Sequence, residues 1–157
     1  FYHFYRDTSD RKWGQAYLTR QFFELLHERL RDRTVLVAAF HDDEMVAGAL
    51  NLIGSETLYG RNWGTMDRAP LLHFETCYYQ AIDIAIEHGL KTVEAGAQGE
   101  HKIQRGYEPV ITHSAHLIAD PGLRRAVAQF LAQEKDHIAQ DQEFIKSEHS
   151  PYRQDRG

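Results

Sequence analysis

A single cysteine, only four prolines and no surplus of basic residues are the first things the 157-residue sequence lacks. Cys77 has no second thiol to pair with, which excludes an internal disulfide framework and sets a reducing, cytoplasmic location as the expectation. The 18 Lys and Arg are outnumbered by 23 Asp and Glu, and the net charge of −5 argues against broad phosphate-backbone binding while leaving a local basic pocket open. No apolar run approaches the roughly 18 residues of a membrane span, and no charged-then-apolar leader opens the chain. Phe1 stands where an initiator methionine would, so the expectation is a piece cut from something longer. No CxxC or HExxH spacing occurs, and no internal repeat or low-complexity linker.

What is present is ordinary for a folded domain: 42% hydrophobic and 26% charged residues. A chain of this length buries roughly 68–70% of its unfolded surface, enough for one domain without a metal or disulfide staple. Ten histidines run from His3 to His149 and raise the question of metal or acid–base chemistry without locating it.

Residues 1–17 are aromatic, charged and aperiodic, and read as a leading loop. A helix follows over 20–32, with Thr19 as N-cap, Leu18 placed to staple onto Phe23, and Phe22, Phe23, Leu26 and Leu30 on one face. The run 34–41 is apolar and β-branched, as in a strand covered on both faces. A turn at 42–44 leads into an antiparallel strand over 45–53, in which Gly48 marks a bulge or a close approach. A third strand is expected over 56–63. Pro70 suits the first position of a second helix carrying Leu71, Phe74, Tyr78, Ile82 and Ala85, closed by Gly89. A short strand over 91–95, a polar helical turn over 100–105 and a strand over 107–118 come next. Asp120-Pro121 then opens a last helix with Leu123, Val127, Phe130, Leu131, Ile138 and Ile145 on one stripe. Residues 18–146 thus read as a single domain and 147–157 as a polar tail. The fold class is α/β, a mixed sheet made of an antiparallel meander plus a strand–helix–strand crossover and flanked by helices.

This order, with two local stretches, resembles the GNAT acyltransferase fold. The stretches are Tyr59-Gly-Arg-Asn-Trp-Gly64 leading into Leu71-Leu-His-Phe-Glu-Thr-Cys-Tyr-Tyr-Gln80, and Glu94-Ala-Gly-Ala-Gln-Gly-Glu-His-Lys-Ile-Gln-Arg-Gly-Tyr-Glu-Pro109. Both are similar to a bacterial family of Fem-like N-acyltransferases named for peptidoglycan biosynthesis or recognition. The resemblance covers nearly the whole chain. It implies a carboxy-terminal unit whose amino-terminal GNAT-like unit is a missing partner, and an acyl-CoA or aminoacyl-tRNA donor with no firm cofactor. Two departures stand out. Gly64-Thr-Met-Asp-Arg-Ala-Pro70 lacks the glycine-rich cradle that GNAT proteins offer to the coenzyme A pyrophosphate. Lys102 occupies the place, before Arg105-Gly-Tyr-Glu108, of the tyrosine that protonates a leaving thiolate. An amine fills that role only if burial lowers its pKa from about 10.4. Fem-type relatives use aminoacyl-tRNA, which accounts for both absences, although the negative charge makes tRNA the less comfortable donor for this unit.

The candidate site follows. An acyl transfer to an amine needs a proton acceptor and donors for the oxyanion. Glu75 or His101 is the candidate relay, with Lys102 or Arg105 to hold the carbonyl or an anionic group and the 96–99 backbone to supply N–H donors. Gln98, Gly99, Glu100, His101, Lys102 and Arg105 crowd the loop after a strand end, where open α/β sheets bind ligands; a solvated helical turn is the alternative. Arg61 and Trp63 suit an anionic or sugar-bearing ligand, or else a structural arginine and a core aromatic. His73 and Cys77 share a helix face, as a base and thiol or simply as packed side chains. Glu75 alternatively serves as a helix N-terminal carboxylate. No metal is expected, because His73/Glu75 on a helix and His113/His116 on a strand point apart. The substrate class is a small molecule or cell-wall precursor, and the rival to catalysis is a recognition half that binds such a ligand.

Overall fold

The computed structural model describes residues 1–96 and 100–148. The chain divides into two compact units, Phe1–Gln98 and Gly99–Gly157. Within the first unit the elements are α1 (Tyr2–Trp13), α2 (Arg20–Leu30) with a 3-10 turn at Arg31–Arg33, β1 (Thr34–His41), β2 (Glu44–Ile53), β3 (Thr57–Thr65), α3 (Leu72–Phe74), a π-helical turn (Glu75–Tyr79), α4 (Gln80–Glu87) and β4 (Thr92–Glu94). The sheet has the order β1-β2-β3-β4, antiparallel up to β3 and parallel between β3 and β4. The meander and the helical crossover are therefore both present, in a mixed four-stranded sheet flanked by helices.

The opening segment is a helix where a loop was expected. Its hydrophobic side chains do not follow a simple amphipathic stripe, yet Tyr5 is only 2% exposed and Phe4 is buried. The reason lies 60 residues downstream, at Gly64. A Cβ there would sit 2.3 Å from the Phe4 carbonyl carbon and 2.5 Å from the Tyr5 nitrogen, so α1 lies directly on the β3 backbone. Thr8 Oγ1 accepts from the Thr65 N–H at 3.2 Å and Arg11 donates to the Thr65 carbonyl at 2.9 Å, which fixes the helix along the strand. Phe23 of α2 meets the rings of Phe1, Tyr2 and Tyr5, and Thr19 accepts from Phe22 N–H as the N-cap.

β1 lies at the sheet edge and is half exposed, with Phe40 at 65%. The strand covered on both faces is instead the central β2, where Ala47 to Asn51 are all buried. Asp42 and Asp43 both have positive φ, giving a two-residue hairpin of the type I′ kind. Gly48 is a close approach rather than a bulge: a Cβ would meet the Phe1 ring at 2.9 Å and Met45 at 3.0 Å. The bulges fall elsewhere. Partners skip Val46 on β2 and Arg61 on β3, since Leu50 faces Asn62 and Asn51 faces Gly60.

Pro70 does not start the helix. Leu71 precedes it with φ +64, and its carbonyl accepts from Phe74 and Glu75. The helical period is then interrupted by the π turn, in which Gln80 N–H donates to the Glu75 carbonyl five residues back. After it, Ala81 and Ala85 pack on Leu58 in the core, with Ile53, Ile84, Leu90 and Val93 around them. Gly89, at φ +64, donates to Ile86 and Leu90 N–H donates to Ala85, a complete Schellman cap.

In the second unit a 3-10 turn (Glu100–Arg105) is followed by α5 (Pro121–Glu148), whose start is capped by Asp120 accepting from Leu123 N–H at 2.7 Å. The strand expected over 107–118 is absent: those residues pair with no strand, and Leu117 is 96% exposed. β-branched composition favours extended backbone, but a strand also needs a neighbour to bond. The α5 stripe at Leu123, Phe130 and Ile138 is largely solvent-facing. Of the expected tail, 147 and 148 complete α5, and 149–157 lie outside the described residues. Among the described residues no helix is long and apolar enough to cross a membrane.

Candidate functional site

The parallel ladder between β3 and β4 ends after three pairs, at Tyr59 and Glu94. Beyond it the pairing stops, and β3 bulges at Arg61. A cavity of about 130 Å³ opens there, lined by Asn51, Gly60, Arg61, Asn62 and Trp63 from the sheet, His73, Cys77 and Tyr78 from the helix, and Ala95 after β4. A larger space of about 580 Å³ adjoins the same wall on the α1 side, where Tyr5, Thr8, Ser9, Gln15 and Tyr17 join Arg61, Asn62, Trp63 and His73. A bulge commonly re-aims side chains beside a ligand site, and π turns are frequent at functional sites.

Aromatic packing fixes the wall. The His73 ring meets Trp63 and Tyr78 edge-on with centroids 5.3 and 5.4 Å apart, and Phe74 stacks on Tyr78. Arg61 donates to the Tyr17 hydroxyl at 2.9 Å, and the Tyr5 hydroxyl accepts from Leu18 N–H at 3.0 Å. Asn51, 1% exposed, donates to the Ala49 carbonyl. The Asn62 side-chain oxygen is buried and takes no hydrogen bond among the described residues. A buried acceptor of this kind calls for a donor from water or ligand. Among the described residues neither cavity is lined by a carboxylate, and in a chain of net charge −5 this wall carries Arg61 and His73 as its basic groups.

Most amides of the 66–72 turn before the helix are already bonded. Met66 N–H is taken by Val46, Asp67 N–H by Thr65 Oγ1, Ala69 N–H by Asp67 Oδ1 and Leu72 N–H by Ala69. With Pro70 lacking an N–H and these four amides already bonded within the chain, few donors remain here for a pyrophosphate.

Of the residues singled out in the sequence, Arg61, Trp63 and His73 come together in one wall. Glu75 does not line either cavity; it is exposed and accepts from Gln80 at 2.9 Å. The second unit carries His101, Lys102 and Arg105 on its 3-10 turn, where Arg105 donates to the His101 carbonyl. Partial burial lowers the Lys102 pKa from its ordinary 10.5 by desolvation. Gln98 and Gly99 lie outside the described residues, as does the Glu100 side chain; Gly96 has φ +81. Sequence reasoning missed Asn51, Asn62, Tyr5 and Tyr17. The signal available for Tyr5 and Tyr17 was the aromatic density of the opening residues, set aside with the loop reading.

No curated protein matches the chain. The sequence profile of the FemAB-like family, described as peptidoglycan biosynthesis/recognition, matches residues 1–154. With nearly the whole chain covered, the protein belongs to the FemAB-like family.

Proposed function

We propose that this chain is a GNAT-like unit that transfers an acyl or aminoacyl group to an amine, in the bacterial cytoplasm, with a peptidoglycan precursor as acceptor. The observation that supports it best is the wall shared by the two cavities. It presents an unsatisfied Asn62 oxygen, ready to accept from an amine or amide N–H. Beside it stand the Arg61 guanidinium for an anionic or carbonyl group and the Trp63 and Tyr17 rings for the apolar faces of a sugar or peptide. The amine attacks the donor carbonyl directly, without a covalent enzyme intermediate. The lowered pKa of Lys102 is the change that a lysine general acid requires. The spent amides of the 66–72 turn favour a donor other than acyl-CoA. They equally favour the second reading, a recognition half that binds the precursor while another unit holds the donor.

Thermal shift separates the two readings, because a ligand that binds the folded state raises its melting temperature. The chain is challenged with acetyl-CoA, aminoacyl-tRNA and a muramyl-peptide precursor. A response to precursor and to one donor, both weakened in Arg61→Ala and Trp63→Ala, is expected. A response to precursor alone would remove the transferase reading for this unit.

A further inference from the structure

We propose that His73 is the catalytic residue that takes the proton from the attacking amine; this rests on the transferase reading above. The proposal follows from what each cavity contains. An amine that forms an amide must lose a proton, and the acceptor has to touch it. Among the described residues neither cavity is lined by an Asp or Glu, and Glu75 is turned to solvent toward Gln80. Among the described residues the other titratable groups facing the shared wall are Arg61 from β3, Cys77 and Tyr78 from the helix, and Tyr5 and Tyr17 from the opening segment. Arginine does not deprotonate, and thiols and phenols ordinarily hold their protons at neutral pH. Imidazole is the side chain that exchanges a proton there.

Geometry supports the same assignment. His73 is the helical residue that lines both cavities, so an amine entering either one meets it. Trp63 and Tyr78 both pack edge-on against its ring, which restricts its rotation. Asn62, on the same wall, has the unsatisfied oxygen that can orient the amine by accepting one N–H. In the step, the amine nitrogen bonds the donor carbonyl carbon as its proton passes to the imidazole. The carbon–oxygen or carbon–sulfur bond of the activated ester or thioester then breaks. The leaving atom is protonated by water or a general acid, and the imidazolium returns its proton to solvent, so charge and atoms balance.

The test uses the full chain with a muramyl-peptide precursor bearing a free lysine amine as acceptor, and acetyl-CoA or alanyl-tRNA as donor. His73→Gln is expected to lower kcat by about 100-fold, to leave KM within about threefold and to remove the imidazole's ionisation from the pH–rate profile, leaving the slope set by the acceptor amine. His88→Gln, at the far end of the helix, serves as the histidine control and keeps all three. His73→Gln with an unchanged pH–rate profile and more than a third of kcat would overturn the proposal. Should His73→Gln fail to fold, carbethoxylation of the unaltered chain decides instead. Turnover loss that tracks modification of His73, with protection by the acceptor, supports the assignment; loss independent of His73 overturns it. No turnover by the unaltered chain with either donor would refute the transferase reading itself, a result distinct from a failure confined to His73.

Discussion

Replacing Gly64 by alanine tests the link between α1 and the sheet. The added methyl would lie 2.3 Å from the Phe4 carbonyl carbon, 2.5 Å from its oxygen and 2.5 Å from the Tyr5 nitrogen. All three are backbone atoms, so no rotamer change relieves the clash. Ordinary contact begins at 3.4 Å, and α1 must therefore retreat by about 1 Å in a close-packed interior. Overpacking costs about 1–3 kcal/mol, and the retreat also strains the Thr8–Thr65 and Arg11–Thr65 hydrogen bonds. For a chain of this size that corresponds to a fall in Tm of roughly 2–12 °C by differential scanning calorimetry. Because Tyr5, Thr8 and Ser9 line the larger cavity, precursor affinity falls with it. Gly14→Ala is the comparison: nothing lies within 4 Å of its Cβ, and only the strain of φ +79 is felt. A Gly64→Ala chain melting within 2 °C of the unaltered one would refute the direct seating of α1 on β3.

Other substitutions probe separate features. Thr19→Ala removes the side-chain acceptor of Phe22 N–H and is expected to lower stability by about 1 kcal/mol in urea titrations. Leu71→Gly relieves a left-handed backbone at a side chain 69% exposed, and is expected to raise stability by about 0.5–1 kcal/mol on the same assay. The Lys102 amine, with its folded pKa lowered from 10.5, binds fewer protons folded than unfolded between those two values. Stability contributed by this group therefore rises as pH rises through that window and is lost as pH falls below it. Lys102→Met should flatten that alkaline rise in urea midpoints and raise the midpoint at pH 7; an unchanged slope would count against the desolvation.

Elements with a local cause were legible from sequence: the Thr19 cap, the Asp42-Asp43 hairpin, the Gly89 cap and the 3-10 turn at Glu100–Arg105. What failed had a distant cause. α1 is helical because a glycine sixty residues away makes room for it, which no local pattern records. Thr34–His41 looked doubly covered because its side chains are apolar, but position in the sheet, not composition, decides coverage. The strand expected over 107–118 has suitable residues and no neighbour. In the site, Arg61, Trp63 and His73 were visible because charge and aromaticity sit together in two short strings. Asn51 and Asn62 were not, since an asparagine in a strand gains meaning only from the bulge that turns it toward a cavity.

The π turn at Glu75–Tyr79 gives the helix two addresses. A wider turn holds about one residue more than an α turn, which offsets the stretches on either side by roughly 100°. The later stretch delivers Ala81 and Ala85 to the Leu58 core, while the earlier one delivers His73 to the cavity wall, where Cys77 joins it from within the turn. Removing one residue from the turn would make a more regular helix and a worse protein, because core and cavity could no longer both be reached. The register of this helix, more than any single side chain on it, couples folding to the site.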